Sequence, residues 1–224
     1  LHSVFIKNKK PGSRLVKAQT ADNPFLPKEY LETLAEQYSE QEFEQYCNGE
    51  FVAMSGAVYS RFDRDIHCRP CLRPLDGELV VGCDFNIGKM VWVLGVWNGE
   101  EIHFFKEQIT KNRNTEEAAE IFDDTLRRLH REHGAKYNPN EIKLYVDASG
   151  AARKTSASRS DVQILRSFGW RVLHNASNPL VRDRINAVNR ALMRSVLYID
   201  HQGCPFTVSC IEQQGFDDYG QPEK

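Results

Sequence analysis

Two aspartates each close an apolar run. Asp84 ends Leu79-Val80-Val81-Gly82-Cys83-Asp84, and Asp147 ends Ile142-Lys143-Leu144-Tyr145-Val146-Asp147. Both runs are rich in β-formers and stop at small or polar residues, as strands do. Side by side, two such strands would bring two carboxylates to one sheet edge. Paired carboxylates suit hard cations such as Mg²⁺ or Mn²⁺, and they are the usual start of a two-metal site for phosphodiester cleavage. Asn86 alternates onto the strand face of Asp84 and would give that face a second polar group. Taken singly, each aspartate reads as well as an ordinary strand-to-turn residue. Their joint occurrence, at matching places in one sheet, carries the metal reading.

Other chemistries fit less well. Residues 151–194 hold nine arginines or lysines against Asp161 and Asp183. Directly after Asp147, the stretch Arg153-Lys154-Thr155-Ser156-Ala157-Ser158-Arg159-Ser160 offers cations and hydroxyls for sequence-blind phosphate contacts. It also reads as a capping loop for the next helix, with Ser158 or Ser160 as the cap. Residues 27–50 lean acidic, with seven glutamates against Lys28, so the net charge of −2 hides a local asymmetry. Gly88-Lys89 lacks the spacing and the following Ser or Thr of a phosphate loop. Ser149 lacks a nucleophile elbow and an adjacent His. His103 and His174 read as packing or surface residues. Cys68-Arg69-Pro70-Cys71 lacks the second ligand pair of a zinc site. Six irregularly spaced cysteines read as free thiols in a reducing setting. No apolar run approaches a membrane span.

The elements that must place these groups follow from periodicity and caps. Pro27 opens a helix to about Tyr38, and a second helix is expected over about 40–47. Residues 51–76 are irregular. Strands are expected over about 79–86, 90–97 and 101–108, the last two joined at Asn98-Gly99. Asn114 with Glu117 forms a capping box for a helix over 115–132, with Ala118, Phe122, Leu126 and Leu129 as its buried stripe. Then come a strand at 142–147, a helix near 160–168, a short strand at 170–174 and a helix over about 180–195. That helix is expected to bury Val181, Ile185, Val188 and Leu192 and to expose Arg182, Asn186, Asn189 and Met193. A strand at 196–200 and a Cys/Pro segment with an acidic tail close the chain. The result is an α/β chain with a mixed sheet flanked by helices, and it resembles a ribonuclease H-like fold. In that order of elements Asp84 and Asp147 occupy the places of the fold's first two acids.

Four blocks sharpen the likeness: Asp84-Phe85-Asn86-Ile87-Gly88-Lys89-Met90; Asp147-Ala148-Ser149-Gly150 with Arg153 and Lys154; Asn178-Pro179-Leu180-Val181-Arg182-Asp183-Arg184 through Asn189; and the stretch from Thr20 to Phe51. Together they resemble the large terminase subunit of tailed bacteriophages. The resemblance implies a viral DNA-packaging motor's nuclease domain that cuts concatemeric double-stranded DNA into genome units with a two-metal site. Residues 1–76 would be a helical linker segment from an ATPase domain lying before Leu1, and 77–224 the nuclease domain, truncated at its C-terminus. By carry-over, Asp84 and Asp147 match the first two metal-binding acids for Mg²⁺ or Mn²⁺, and Asn86 would orient a water. Arg153, Lys154, Arg159, Arg182 and Arg184 would contact DNA phosphates. The family's third acid would fall beyond Lys224, with Asp217 and Asp218 as stand-ins. Expected partners are viral DNA, the portal, the small terminase subunit and the ATPase domain, in the host cytoplasm at the procapsid and with no membrane. A ribonuclease H-like recombinase or resolvase, or a non-catalytic motor docking module, remains an alternative.

Overall fold

The computed structural model describes residues 16–38, 43–44, 47–49, 56–85, 88–151, 159–217 and 220–223. They form two compact units, Leu1–Ser60 with Gln214–Lys224, and Arg61–Gln213.

In the first unit, α1 (Lys28–Gln37) starts after Pro27, as the sequence predicts. Of the helix expected at 40–47, Phe43 and Glu44 are helical and Cys47 lies in a turn, while residues 40–42, 45 and 46 lie outside the described residues. The carbonyl of buried Cys47 accepts the Thr20 N–H at 2.7 Å. Ala57 bridges Gly215 in antiparallel fashion, and the Val58 N–H donates to the Gln214 carbonyl at 2.8 Å.

The second unit is built on one mixed sheet. Its elements are α2 (Arg64–His67), β1 (Glu78–Asp84), β2 (Lys89–Trp97), β3 (Ile102–Lys111), α3 (Thr115–Glu132), β4 (Lys143–Val146), α4 (Asp161–Ser167), β5 (Arg171–Leu173), α5 (Val181–Met193), β6 (Leu197–Ile199) and α6 (Pro205–Gln213). The six strands lie in the order β5-β4-β1-β2-β3-β6. β2 is antiparallel to both β1 and β3, whereas β4 runs parallel to β1, β5 to β4 and β6 to β3. This is the ribonuclease H-like arrangement expected from the sequence.

One sheet face makes the core. Leu79, Val81 and Cys83 of β1 alternate inward and join Trp92 and Leu94 of β2 and Leu144 of β4. α3 covers them with Ala118, Ala119, Phe122 and Leu126, and α4 adds Val162 and Leu165. Stacked Trp92 and Phe122 (ring centroids 4.7 Å apart) and the edge-on Trp170 anchor the layer, each pair adding about 1 kcal/mol beyond its buried area. The capping box of α3 forms as predicted, with Asn114 Oδ1 accepting the Glu117 N–H and Glu117 accepting the Asn114 N–H. Ser160 caps α4 in the same manner.

Three expectations fail. β1 ends at Asp84 and leaves Phe85 outside it, where the expected strand ran on to 86; Asn86 lies outside the described residues. In α5, Val181 is exposed while Asn186 is buried. The reason is that α5 is flanked on more than one side. It packs on β6, and it also meets the segment around α2, where His67 Nε2 lies 2.9 Å from the Leu192 carbonyl and the Arg61 N–H donates to Asn189 Oδ1 at 3.3 Å. The polar face is thus turned partly inward. Third, residues 205–213 are helical. The sequence Pro-Phe-Thr-Val-Ser-Cys holds few strong helix formers, and its cap comes from far away: the Glu107 carboxylate accepts the Phe206 and Thr207 N–H groups at 2.7 and 2.8 Å.

Candidate active site

β1 and β4 run parallel, with Cys83 opposite Val146 as their last paired residues. One step further along each chain stand Asp84 and Asp147. The register therefore sets the two aspartates side by side at the carboxyl ends of adjacent parallel strands, where α/β sheets commonly bind ligands. Neighbouring strands lie about 5 Å apart, a spacing that lets two carboxylates reach one cation. Both project from the face opposite the core, shared with Val80 and Gly82 of β1 and with Lys143 and Tyr145 of β4.

The two acids are held differently. Asp84 is exposed, and among the described residues its carboxylate takes part in no hydrogen bond or ion pair. Asp147 is half-buried and gripped at both oxygens. Its Oδ1 accepts the Ser149 N–H at 2.8 Å, and its Oδ2 accepts from Nδ2 of Asn178 at 2.7 Å. The Asn178 bond, then the Ser149 bonds, with a smaller contribution from the Arg184 charge, hold the Asp147 carboxyl below the usual carboxylate range. It is ionised and ready to ligate a cation at any pH near neutral.

The strand ends are interlocked beneath the acids. The Phe85 ring packs on Gly150 so closely that an added Cβ would collide with Phe85 Cε2. Phe85 follows Asp84 and Gly150 lies three residues after Asp147, so one contact ties both acid-bearing segments together. Gly82 leaves open space above the sheet on the acids' own face. Cys83 turns the other way. Burial first, then the Asp84 and Asp161 charges, push its thiol up and keep it protonated, so it offers no nucleophile.

The remaining candidates fall in several places. Asn86, Arg153, Lys154 and Asp218 lie outside the described residues. Arg159 is exposed and pairs with Glu116 at 2.9 Å. Arg182, at the start of α5, lies 3.4 Å from Asp183, its neighbour in the chain. Arg184, exposed on the same first turn, is brought toward Asp147. Asp217 belongs to the first unit, where its carboxylate accepts the Gln221 N–H at 2.9 Å. Sequence reasoning gave no role to Asn178, Phe85 or Gly150. Asn178 acts across 31 residues, a distance at which spacing carries no information.

Oxygen donors from two carboxylates fit a hard divalent cation. Among the described residues, however, no group of three or more His, Cys, Asp or Glu side chains is arranged to hold one. Among the described residues the donor set is therefore a pair.

Known proteins fit this picture. Residues 3–66 match the family described as terminase large subunit, T4likevirus-type, N-terminal. No curated protein matches the chain in sequence. Among solved structures, the large terminase of a thermophilic bacteriophage superposes with a TM-score of 0.66 at 19% identity, covering 92% of this chain and 49% of that one. The P22 large terminase nuclease domain superposes with a TM-score of 0.57 at 12% identity, covering 75% of this chain and 84% of that one. The chain thus spans about half the length of the thermophilic phage's terminase, and at such identities the structural likeness is one of fold. In sequence at its N-terminal end and in fold, the chain is similar to bacteriophage large terminases.

Proposed function

We propose that this chain carries the nuclease centre of a bacteriophage DNA-packaging terminase, a divalent-metal-dependent endodeoxyribonuclease that cuts concatemeric double-stranded DNA into genome units. The observation that carries the reading is the register of β1 and β4, whose last pair, Cys83 opposite Val146, is followed on each chain by an aspartate. The fold shared with the P22 nuclease domain supports it.

Asp84 and Asp147 would hold Mg²⁺ or Mn²⁺. Ions bound there would neutralise charge on the scissile phosphate and lower the pKa of the attacking water. The chain itself supplies position and charge. Asp147 presents a carboxylate fixed at both oxygens, and Asp84 presents one with no hydrogen bond among the described residues. Arg184 and Arg182 would receive the phosphate backbone, a contact that needs no base readout. Viral DNA is the proposed substrate. The portal, the small terminase subunit and an ATPase domain of the same protein are the proposed partners, at the procapsid in the host cytoplasm.

The test is nicking of supercoiled plasmid by the purified chain with Mn²⁺ or Mg²⁺, with and without chelator. Cleavage that needs the divalent ion and disappears in Asp84→Ala and Asp147→Ala is the expected result. Cleavage that survives either substitution would overturn the assignment.

A further inference from the structure

We infer that Asn178 is a positioning residue for the acid pair, orienting the Asp147 carboxylate so that it meets its cation in a single pose. This rests on the nuclease reading above and adds to it a residue outside both acid-bearing strands.

Asn178 sits in the connection between β5 and α5 and makes two bonds with one amide. Its Nδ2 donates to Asp147 Oδ2 at 2.7 Å, and its Oδ1 accepts the N–H of Ala148 at 2.9 Å. The opposite amide orientation would set oxygen against oxygen and N–H against N–H, so the pairing fixes the assignment. Pro179 follows, and a residue before proline is confined to extended conformations. The backbone of Asn178 is therefore restricted before any ligand arrives.

The effect falls on the carboxylate plane. With the Ser149 N–H on Oδ1 and the Asn178 amide on Oδ2, rotation about the Asp147 carboxylate bond would break one or both hydrogen bonds. These bonds, with a further contribution from the Ser149 side chain, take up part of the roughly four lone-pair sites of a carboxylate and leave the rest for an ion. Anchoring the loop needs only the Ala148 bond. The second bond falls on a partly solvated carboxylate, and its main consequence is orientation. Asp84 has no such support among the described residues, so the pair consists of one fixed acid and one adjustable acid. A hydrogen-bonding partner behind a ligating carboxylate typically changes metal affinity by about 10–100-fold.

The experiment is a Mn²⁺ titration of the full 224-residue chain, following loss of the free-ion EPR signal, for the unaltered protein, Asn178→Ala and Asp147→Asn, with thermal unfolding of each. Asn178→Ala is expected to weaken Mn²⁺ binding about 10–100-fold with little change in Tm, since the side chain is exposed. Its plasmid nicking should fall at low Mn²⁺ and recover at high Mn²⁺, with KM for DNA unchanged. If Asp147→Asn loses binding while Asn178→Ala binds as the unaltered chain does, the inference is overturned and Asn178 merely anchors a loop. If Asp147→Asn itself binds Mn²⁺ normally, the acid-pair reading fails first, and the role of Asn178 with it.

Discussion

Asp84 stands at the end of a buried strand, yet its side chain faces solvent and carries no hydrogen bond among the described residues. Little of the fold depends on it. Asp84→Ala should leave Tm nearly unchanged, within about 0.5 kcal/mol of stability, and should remove divalent-dependent nicking. Circular dichroism melts beside a plasmid assay check both halves, and a large loss of stability would mean that the carboxylate has a structural partner. The places of Asp84 and Asp147 at the ends of adjacent strands were readable in the sequence because each closes a β-rich run. Asn178 was not. Its role exists only because the β5–α5 connection returns to β4, and nothing local to an Asn-Pro dipeptide encodes that return.

Elements were readable wherever their determinants are local. α3 begins and ends where its capping box and its stripe of Ala118, Phe122 and Leu126 place it. α6 escaped notice because its N-terminal amides are capped by Glu107, on a strand about a hundred residues earlier. Glu107→Ala should therefore cost about 1–2 kcal/mol, the usual loss for a missing cap, measured by urea unfolding; a change under about 0.3 kcal/mol would show that α6 is held by packing alone. The turn into α6 adds a pH dependence. Burial alone would raise the Asp200 carboxyl, but N–H groups of Cys71, Gly203 and Gln202 together hold it below its ordinary value. A carboxyl depressed in the folded state adds stability above its unfolded pKa, near 3.9, and loses that contribution as pH falls through its lower folded value. Asp200→Asn should be less stable than the unaltered protein at pH 6, and the gap should close as pH falls below about 4; a gap independent of pH would contradict the hydrogen-bonding account. At the acid-bearing ends, Gly150→Ala would drive a methyl into Phe85. The expected cost is about 1–3 kcal/mol, with reduced nicking because the residue displaced is bonded to Asp84. Unchanged melting and activity would show that the ring has room to yield.

Over the whole molecule the charge sums to only −2, so binding to a polyanion has to come from how the charges are distributed. On the proposed reading the acid pair would repel DNA until cations occupied it, and the arginines at the start of α5 would attract it. Arg182 meets Asp183 at 3.4 Å, one contact among others, in a partly exposed ion pair worth about 1 kcal/mol or less. Arg184 lies exposed, close enough to Asp147 for its charge to be felt there. Each arginine that meets a phosphate releases counterions, so removing one such arginine should reduce the slope of log affinity against log salt by about 0.9. The double reversal Arg182→Glu/Arg184→Glu should therefore weaken binding to duplexes of unrelated sequence alike and flatten the salt slope by up to about 1.8. Fluorescence anisotropy at several salt concentrations measures both quantities. If the affinity falls for one sequence only, the arginines read bases. If neither affinity nor slope changes, the first turn of α5 is only a solvated face.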